Sequence, residues 1–349
     1  MACPRFARIL VSASAFLLFA GVTSWSLLLA WDPPVPPRQP RPAGYWFKGN
    51  LHTHSVRSDG DSAPGQVVQW YRDHEYDFLA LTDHNVLAPT DALNAKYGAD
   101  HQFLVIQGEE VTDSYGDQPV HLNALGASEA VEPQHGASVV DVMQRNVDAI
   151  RRAGGAPLIN HPNFISPIGA EALRQVERGS LFEVFNGHPL TNTFGSRGVP
   201  SMDEVWDRIL SSGTLMYGVA DDDAHTFKSS DPRVAGPGRG WVYVHAAHLE
   251  AHAILEALER GDFYASTGVE LSNYQVTQAG MTVEIRPQPS RTYRVQFIGQ
   301  KGRVLEEATS TCASYAFSES DEYVRVRIQD STGAFAWTQP VFRHAPPSN

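Results

Sequence analysis

Cysteine is nearly absent. Only Cys3 and Cys312 occur in 349 residues, so neither a disulfide-stapled scaffold nor a cysteine-rich zinc finger can be built. A basic surface is missing too. Lys and Arg number 27 against 39 Asp and Glu, a formal net charge of −12. That balance leaves no cationic stripe to displace counterions from phosphates and argues against a nucleic-acid partner. No Gly-x-Ser-x-Gly elbow offers a serine nucleophile, and no P-loop cradles a nucleotide. Internal repeats are absent, and one proline-rich tract is the sole low-complexity stretch. What is present suits a folded protein: 42% hydrophobic and 10% aromatic residues fill a core and exclude a mostly disordered chain. The length allows one large domain or two of ordinary size. Histidine is abundant, with 14 copies, several beside Asp or two residues apart.

Arg5 and Arg8 precede an uncharged apolar run from Ile9 to Trp31. As a helix it is roughly 35 Å long, enough for a hydrocarbon core of about 30 Å. Residues 1–31 therefore read as a cleaved secretory signal or as an uncleaved anchor that ties the chain to a membrane. Both readings place the rest outside the cytoplasm, periplasmic or secreted, and leave Cys312 unpaired; the expectation is a buried, inert thiol. Residues 32–44 carry six prolines (Pro33, Pro34, Pro36, Pro37, Pro40, Pro42) and read as a semi-rigid linker of polyproline geometry.

From residue 45 to 268 short apolar runs alternate with helical patterns. Strands are expected at Tyr45–His52, Asp77–Leu81, Phe103–Gln107, Val120–Leu125, Ala156–Ile159, Leu181–Phe185, Leu215–Ala220 and Trp241–His245. Helices are expected at Gly65–His74, Ser138–Ala153, Ser201–Leu210 and His248–Arg260. Val139, Val140, Met143, Val147 and Ile150 repeat at helical spacing, and Ser201 with Glu204 forms a capping-box pattern. The alternation predicts an α/β fold, a parallel sheet with covering helices. Six or seven such steps suit a closed β/α barrel, with a doubly wound open sheet as the alternative. Residues 269–349 change texture: period-2 runs around Val283, Val295 and Val326, separated by turns such as Ser331-Thr332-Gly333, predict a small all-β module.

Chemistry-bearing residues sit at the strand ends. In His52-Thr53-His54 two imidazoles two residues apart on a strand point the same way and can converge on a divalent ion. Ser58-Asp59-Gly60 offers a carboxylate on a turn. Thr82-Asp83-His84, Gly108-Glu109-Glu110, His121, Asn160-His161-Pro162 and Asp223-Ala224-His225 follow or fall within successive apolar runs. A β/α barrel builds its active site at that end of its strands. A lone histidine there would read as a core residue; the recurrence carries the signal. Asp221 and Asp223 share parity with His225, and parity alone does not separate them. Glu109 and Glu110 face opposite sides of a strand, so one of them at most can bridge two ions.

In this order the motifs resemble the PHP (polymerase and histidinol phosphatase) family of metal-dependent hydrolases, over roughly Trp46 to Gly268. Lys48-Gly49-Asn50, Glu110-Val111-Thr112, His121-Leu122-Asn123, Glu183-Val184-Phe185-Asn186-Gly187 and the tail segments Tyr323-Val324-Arg325 and Ala336-Trp337-Thr338-Gln339-Pro340 look closer to the branch that includes carbaryl hydrolases. The resemblance implies a distorted seven-stranded β/α barrel and two or three divalent ions. His52, His54, Glu110 and Asp223 would hold one; Glu110 would bridge to a second with His121 and His161; Asp59, His84 and His225 would hold a third. The motif alignment selects Glu110 over Glu109, and the Asp-x-His pattern selects Asp223. Asp59 stands where some relatives have histidine. Mixed His, Asp and Glu ligation suits Zn, Mn or Fe. Ions roughly 3.5–4 Å apart activate a bridging hydroxide near neutral pH, so no protein nucleophile is needed. Asp83 is a candidate to orient a ligand imidazole, and Glu183 and Asn186 to line the pocket. His74, His101, His135, His188, His245, His248, His252 and His344 read as surface or packing residues.

The expectation is an exported phosphoesterase acting on a small-molecule ester. A carbamate or amide hydrolase on the same site and a non-catalytic surface binding protein are the alternatives. Oligomeric state is not legible.

Overall fold

The computed structural model describes residues 45–98 and 102–343. The apolar run and the proline-rich linker lie outside them. Among the described residues no helix is long and apolar enough to cross a membrane. The chain runs β1 (Tyr45–Asn50), α1 (Pro64–Asp73), β2 (Phe78–Leu81), α2 (Asp91–Tyr97), β3 (Leu104–Gln107), β4 (Glu110–Tyr115) and β5 (Gln118–Leu125). It continues through α3 (Val139–Arg152), β6 (Ala156–Ile159), α4 (Ala170–Leu173), β7 (Leu181–Asn186), α5 (Met202–Ser211), β8 (Tyr217–Asp221), β9 (Trp241–Ala246), α6 (Ala251–Arg260) and β10 (Phe263–Ser266). Strands alone, apart from one 3-10 turn, follow: β11 (Leu271–Val276), β12 (Gly280–Ile285), β13 (Tyr293–Gly299), β14 (Arg303–Ala308), β15 (Cys312–Ala316), β16 (Tyr323–Asp330), β17 (Phe335–Thr338) and β18 (Val341–Phe342).

The result is a mixed α/β fold of large sheets and few helices. One sheet has the order β14-β13-β16-β17-β10-β9-β1-β2-β3, with β18 on β16; a second runs β4 to β8; a third is β11-β12-β15. The strands on either side of residue 268 therefore share one sheet. The expectation of a parallel sheet needs correction. β1, β2 and β3 are parallel, as are β6, β7 and β8. The pairs β4·β5, β5·β6, β1·β9 and β9·β10 are antiparallel. The physical reason is plain for β4 and β5: Gly116-Asp117 joins them in two residues, and a two-residue link permits only a hairpin.

The helices form where spacing and caps agree. Ser138 Oγ accepts the Asp141 amide at 3.1 Å and starts α3, whose Val142, Met143, Val147 and Ile150 are buried against β5 and β6. Ser201 and Glu204 close a reciprocal box at the start of α5. Trp206 of α5 is fully buried and donates Nε1–H to Met216 O at 2.9 Å. The helix α6 stops at Gly261, φ +77°, where a Cβ would lie 2.4 Å from the Tyr217 ring. The buried Arg325 of β16 grips α5 through Asp207, with Nε and Nη2 each at 2.8 Å, and through Asp203. Cys312, expected to be buried, is exposed: β15 is an edge strand whose residues alternate in and out, and Ala313 takes the inward place.

The two larger sheets meet at their strand ends. Just past β1 and β8, His54 N donates to Ala224 O at 2.9 Å and Asp223 N to His52 O at 3.0 Å. Past β3, Ala124 N donates to Glu109 O at 2.8 Å, and His84 bridges Glu110. These bonds bring the ends of β1 and β8, of β3 and β5, and of β2 and β4 together.

Candidate metal centre

Beside these ends lies a buried pit of imidazoles and carboxylates. His52 and His54 are fully buried, and their Nε2 atoms stand 3.1 Å apart. They lie just past β1, where Thr53 forms an isolated parallel bridge to Ala224, and both rings still enter the pit. Asp223 Oδ1 lies 3.2 Å from both Nε2 atoms. Glu110 Oε1 lies 3.4 Å from His52 Nε2, 3.1 Å from His121 Nδ1 and 3.2 Å from His161 Nε2; its Oε2 lies 2.8 Å from His84 Nδ1. On the outer side Asp59, half exposed, stands 3.6 Å from His54, 3.5 Å from His84 and 3.4 Å from His225.

All nine residues expected as ligands therefore meet. Their donor atoms fall into overlapping groups: His54, Asp59, His84 and His225; His52, His54 and Glu110; His52, His161 and Asp223; His84, Glu110 and His121. Glu110 sits centrally, in contact with histidines from both sides, as a bridging carboxylate must.

The donor set fits divalent ions on internal grounds. Glu110 Oε2 and Asp223 Oδ1 are buried, and their near neighbours are imidazole nitrogens, His84 Nδ1 at 2.8 Å and the Nε2 atoms of His52 and His54 at 3.2 Å; a shared cation satisfies such an assembly of donor atoms. Burial opposes charge on these groups; at His54 it wins and lowers the imidazole below its ordinary range, but at several others attraction wins. His52 is driven well above the usual histidine range by Asp223, Glu110 and Glu183 despite its burial. Burial would raise Glu110 and Asp223, but the neighbouring histidines hold both well below the carboxylate range. Burial would lower His84, but Asp59 and Glu110 raise it to about 10. A field that binds protons this strongly binds metal ions in their place. His161 and Asp223 also adopt left-handed backbone, φ +25° and +48°, conformations that cost about 1–3 kcal/mol and concentrate at functional sites.

The two ambiguities of spacing resolve. Glu109 turns away and accepts the Val131 amide. Asp221 lies beside Glu183 and His52; burial and Glu183 push it well above the carboxylate range.

Around the pit a shell of polar side chains fixes the ring orientations. Glu183 Oε1 stands 2.6 Å from His52 Nδ1, and its Oε2 accepts the His161 amide at 2.5 Å and Asn186 Nδ2 at 2.8 Å. Asn186 also donates to Asp223 Oδ2 at 3.2 Å. Both residues thus lie behind the pit's lining and hold it. Asp83 makes its contacts with Ser55 and Ser58: it accepts Ser55 N at 2.7 Å and Ser58 Oγ at 2.9 Å. It anchors the loop that carries Asp59. Gly60 closes that loop so tightly that a Cβ would lie 2.8 Å from the His54 carbonyl.

Three residues escape sequence reasoning. Asn160 donates Nδ2 to Glu110 Oε1 at 2.9 Å and to Asn123 Oδ1 at 2.9 Å, and Asn123 donates to Leu51 O at 3.1 Å. Both lie next to or near motif histidines, so adjacency was the available signal. His188, read as packing, stands half-buried with its ring 5.4 Å from that of His225; nothing in its spacing marks it.

No family model matches the chain. A 3',5'-nucleoside bisphosphate phosphatase of Chromobacterium violaceum is 32% identical over 110 residues, covering 31% of this chain and 37% of that protein. The chain thus matches little more than a third of that curated relative's length. A two-domain protein of Bacteroides vulgatus with a predicted PHP-like metal-dependent phosphoesterase superposes with a TM-score of 0.50 at 19% identity, covering 85% of this chain and 94% of the other. That likeness shows a shared fold. With its motifs in order and their side chains gathered in one pit, the chain is similar in fold to a protein with a predicted PHP-like metal-dependent phosphoesterase.

Proposed function

We propose that this chain is an exported metal-dependent phosphoesterase that holds two or three ions of Zn, Mn or Fe and acts on a small-molecule ester. One observation carries the reading: nine candidate ligands converge on one buried pit, their donor atoms in overlapping groups close enough to share an ion. The bonds that join β1 to β8 and β3 to β5 support reading the two sheets as a distorted seven-stranded barrel, with the strands after residue 268 as its β-rich companion. Export rests on residues 1–31 alone.

His52, His54, Glu110 and Asp223 would hold one ion; Glu110, His121 and His161 a second; Asp59, His84 and His225 a third. Bound ions would supply water acidified to near neutral pH and would neutralise charge on a phosphoryl or acyl oxygen. The chain's own groups prepare that place. Glu183 fixes His52 through Nδ1 and leaves Nε2 to face the pit. Asn160 and Asn186 pin Glu110 and Asp223. Asp83 fastens the loop of Asp59.

The branch resemblance of the motifs supports a second reading, carbamate or amide ester hydrolysis at the same pit. Turnover of aryl phosphate and aryl carbamate esters, before and after chelation and with Zn, Mn or Fe restored, tests both. Phosphate esters are expected to be preferred. Faster carbamate cleavage would promote the second reading, and no metal-restored turnover of any ester would overturn both.

A further inference from the structure

One side of the pit's mouth carries apolar side chains for which the fold has no use. Phe164 follows His161 by three residues, and its ring centroid lies 5.1 Å from that of His161 and 6.4 Å from that of His121. The same ring meets His188 edge-on at 6.4 Å, and His188 reaches His225 at 5.4 Å. The wall therefore spans the pit from the His121 and His161 side to the His225 side. Next to Phe164 in the chain, Ile165 is 74% exposed, and two residues past His188, Leu190 is 70% exposed. Ile165 adopts φ +59°, a left-handed backbone that a β-branched residue enters only under strain. Burial does not compensate for it, and strain of this kind accumulates where a site needs a particular side chain.

The wall is also rigid. Phe164 bridges Thr191, which ties the loop after β6 to the loop after β7. Buried Asn163 donates to Asn192 O at 3.0 Å and to Pro200 O at 2.8 Å across the same seam. The Leu190 amide donates to His188 Nδ1 at 3.2 Å and fixes that ring. An apolar surface held in place beside a polar centre orients an amphipathic ligand.

Building on the hydrolase reading, we infer that this wall selects esters with an aryl or similarly sized apolar group next to the scissile bond, covered by Phe164, Ile165 and Leu190. An anionic group in that position would be stripped of water against apolar side chains.

The test compares substrates that share a leaving group. Methyl para-nitrophenyl phosphate and phenyl para-nitrophenyl phosphate differ only in the retained group, as do para-nitrophenyl N-methyl- and N-phenylcarbamate. With the metal-loaded full chain, the phenyl member of whichever pair is turned over should win in kcat/KM by roughly tenfold or more, mainly through KM. In the Ile165→Asn, Leu190→Ser double variant that ratio should fall towards one. Ile165→Val with Leu190→Met should keep it. Asn tolerates left-handed backbone, so Ile165→Asn should not lower the thermal midpoint, whereas a purely structural role for Ile165 would. Equal kcat/KM for both members in the wild type, or an unchanged ratio in the double variant, overturns this inference and leaves the hydrolase reading standing. Absence of any metal-restored turnover overturns both.

Discussion

Asp221 and Asp223 lie two residues apart at the end of β8, yet their surroundings shift the two carboxyls in opposite directions. Asp223 faces His52 and His54, each 3.2 Å away, and is held ionised. Asp221 is buried beside Glu183 and is pushed towards the neutral acid. The geometry favours Asp223, whose Oδ1 stands equally close to both imidazoles. Asp223→Ala or His52→Ala should abolish turnover and leave the far-ultraviolet circular dichroism spectrum unchanged; full activity in either variant contradicts the assignment. Glu183→Gln tests the layer behind. It removes the charge 2.6 Å from His52 Nδ1, and loss of such a partner weakens metal affinity by about 10–100-fold. Competition with a chromogenic chelator measures that loss. An unchanged affinity would make Glu183 a packing residue. At this scale the sequence was informative wherever strand parity or adjacent motifs fixed a side chain's direction, as for His52, His54 and Asp223. His188 had no such marker, because a loop sets its position.

At the scale of elements, α5 depends on two local devices. Its capping box satisfies amides that no helical carbonyl reaches; Ser201→Ala should cost about 1 kcal/mol in urea unfolding. Its outer face is tied to β16 by Arg325, which contacts Asp203 and Asp207. Burial would raise Asp203, but Arg325 and Arg327 outweigh it and hold the carboxylate below its ordinary value. A depressed carboxylate contributes stability above its unfolded pKa of about 3.9 and loses it as the pH falls further. Asp203→Asn should therefore flatten the decline of stability below about pH 4; an unaltered acid limb contradicts the pairing.

The elements also show what local pattern reveals. α3 and α5 were legible because apolar spacing and a cap agree in each. β4 was not: its sequence EVTDSY alternates weakly, and beyond Glu110 nothing in it marks a strand. The link Gly116-Asp117, with Gly116 at φ +58°, carried the hairpin signal. β10 was missed because FYAS is short and gains its pairing from β9 and β17, the latter some seventy residues on. A pairing that distant leaves no trace in a local window.

For the whole molecule, the ligand motifs announced the pit and their order announced the fold type. The mixture of parallel and antiparallel pairs was hidden, since it depends on how turns and crossovers close the sheets. A pit assembled from so many strand ends links metal binding to folding. Ions that bind only the folded chain add stability as RT ln(1 + [L]/Kd), about 2.7 kcal/mol at a hundredfold excess over Kd. Chelation should thus lower the thermal midpoint, and Zn or Mn should restore it; a midpoint indifferent to both would speak against ions in the pit.

Elemental analysis of the full chain, purified without chelator, addresses the ion cluster most directly. The predicted result is two or three equivalents of Zn, Mn or Fe per chain, reduced in Asp223→Ala. Less than one equivalent, or a content that Asp223→Ala leaves unchanged, would contradict a metal centre at this place.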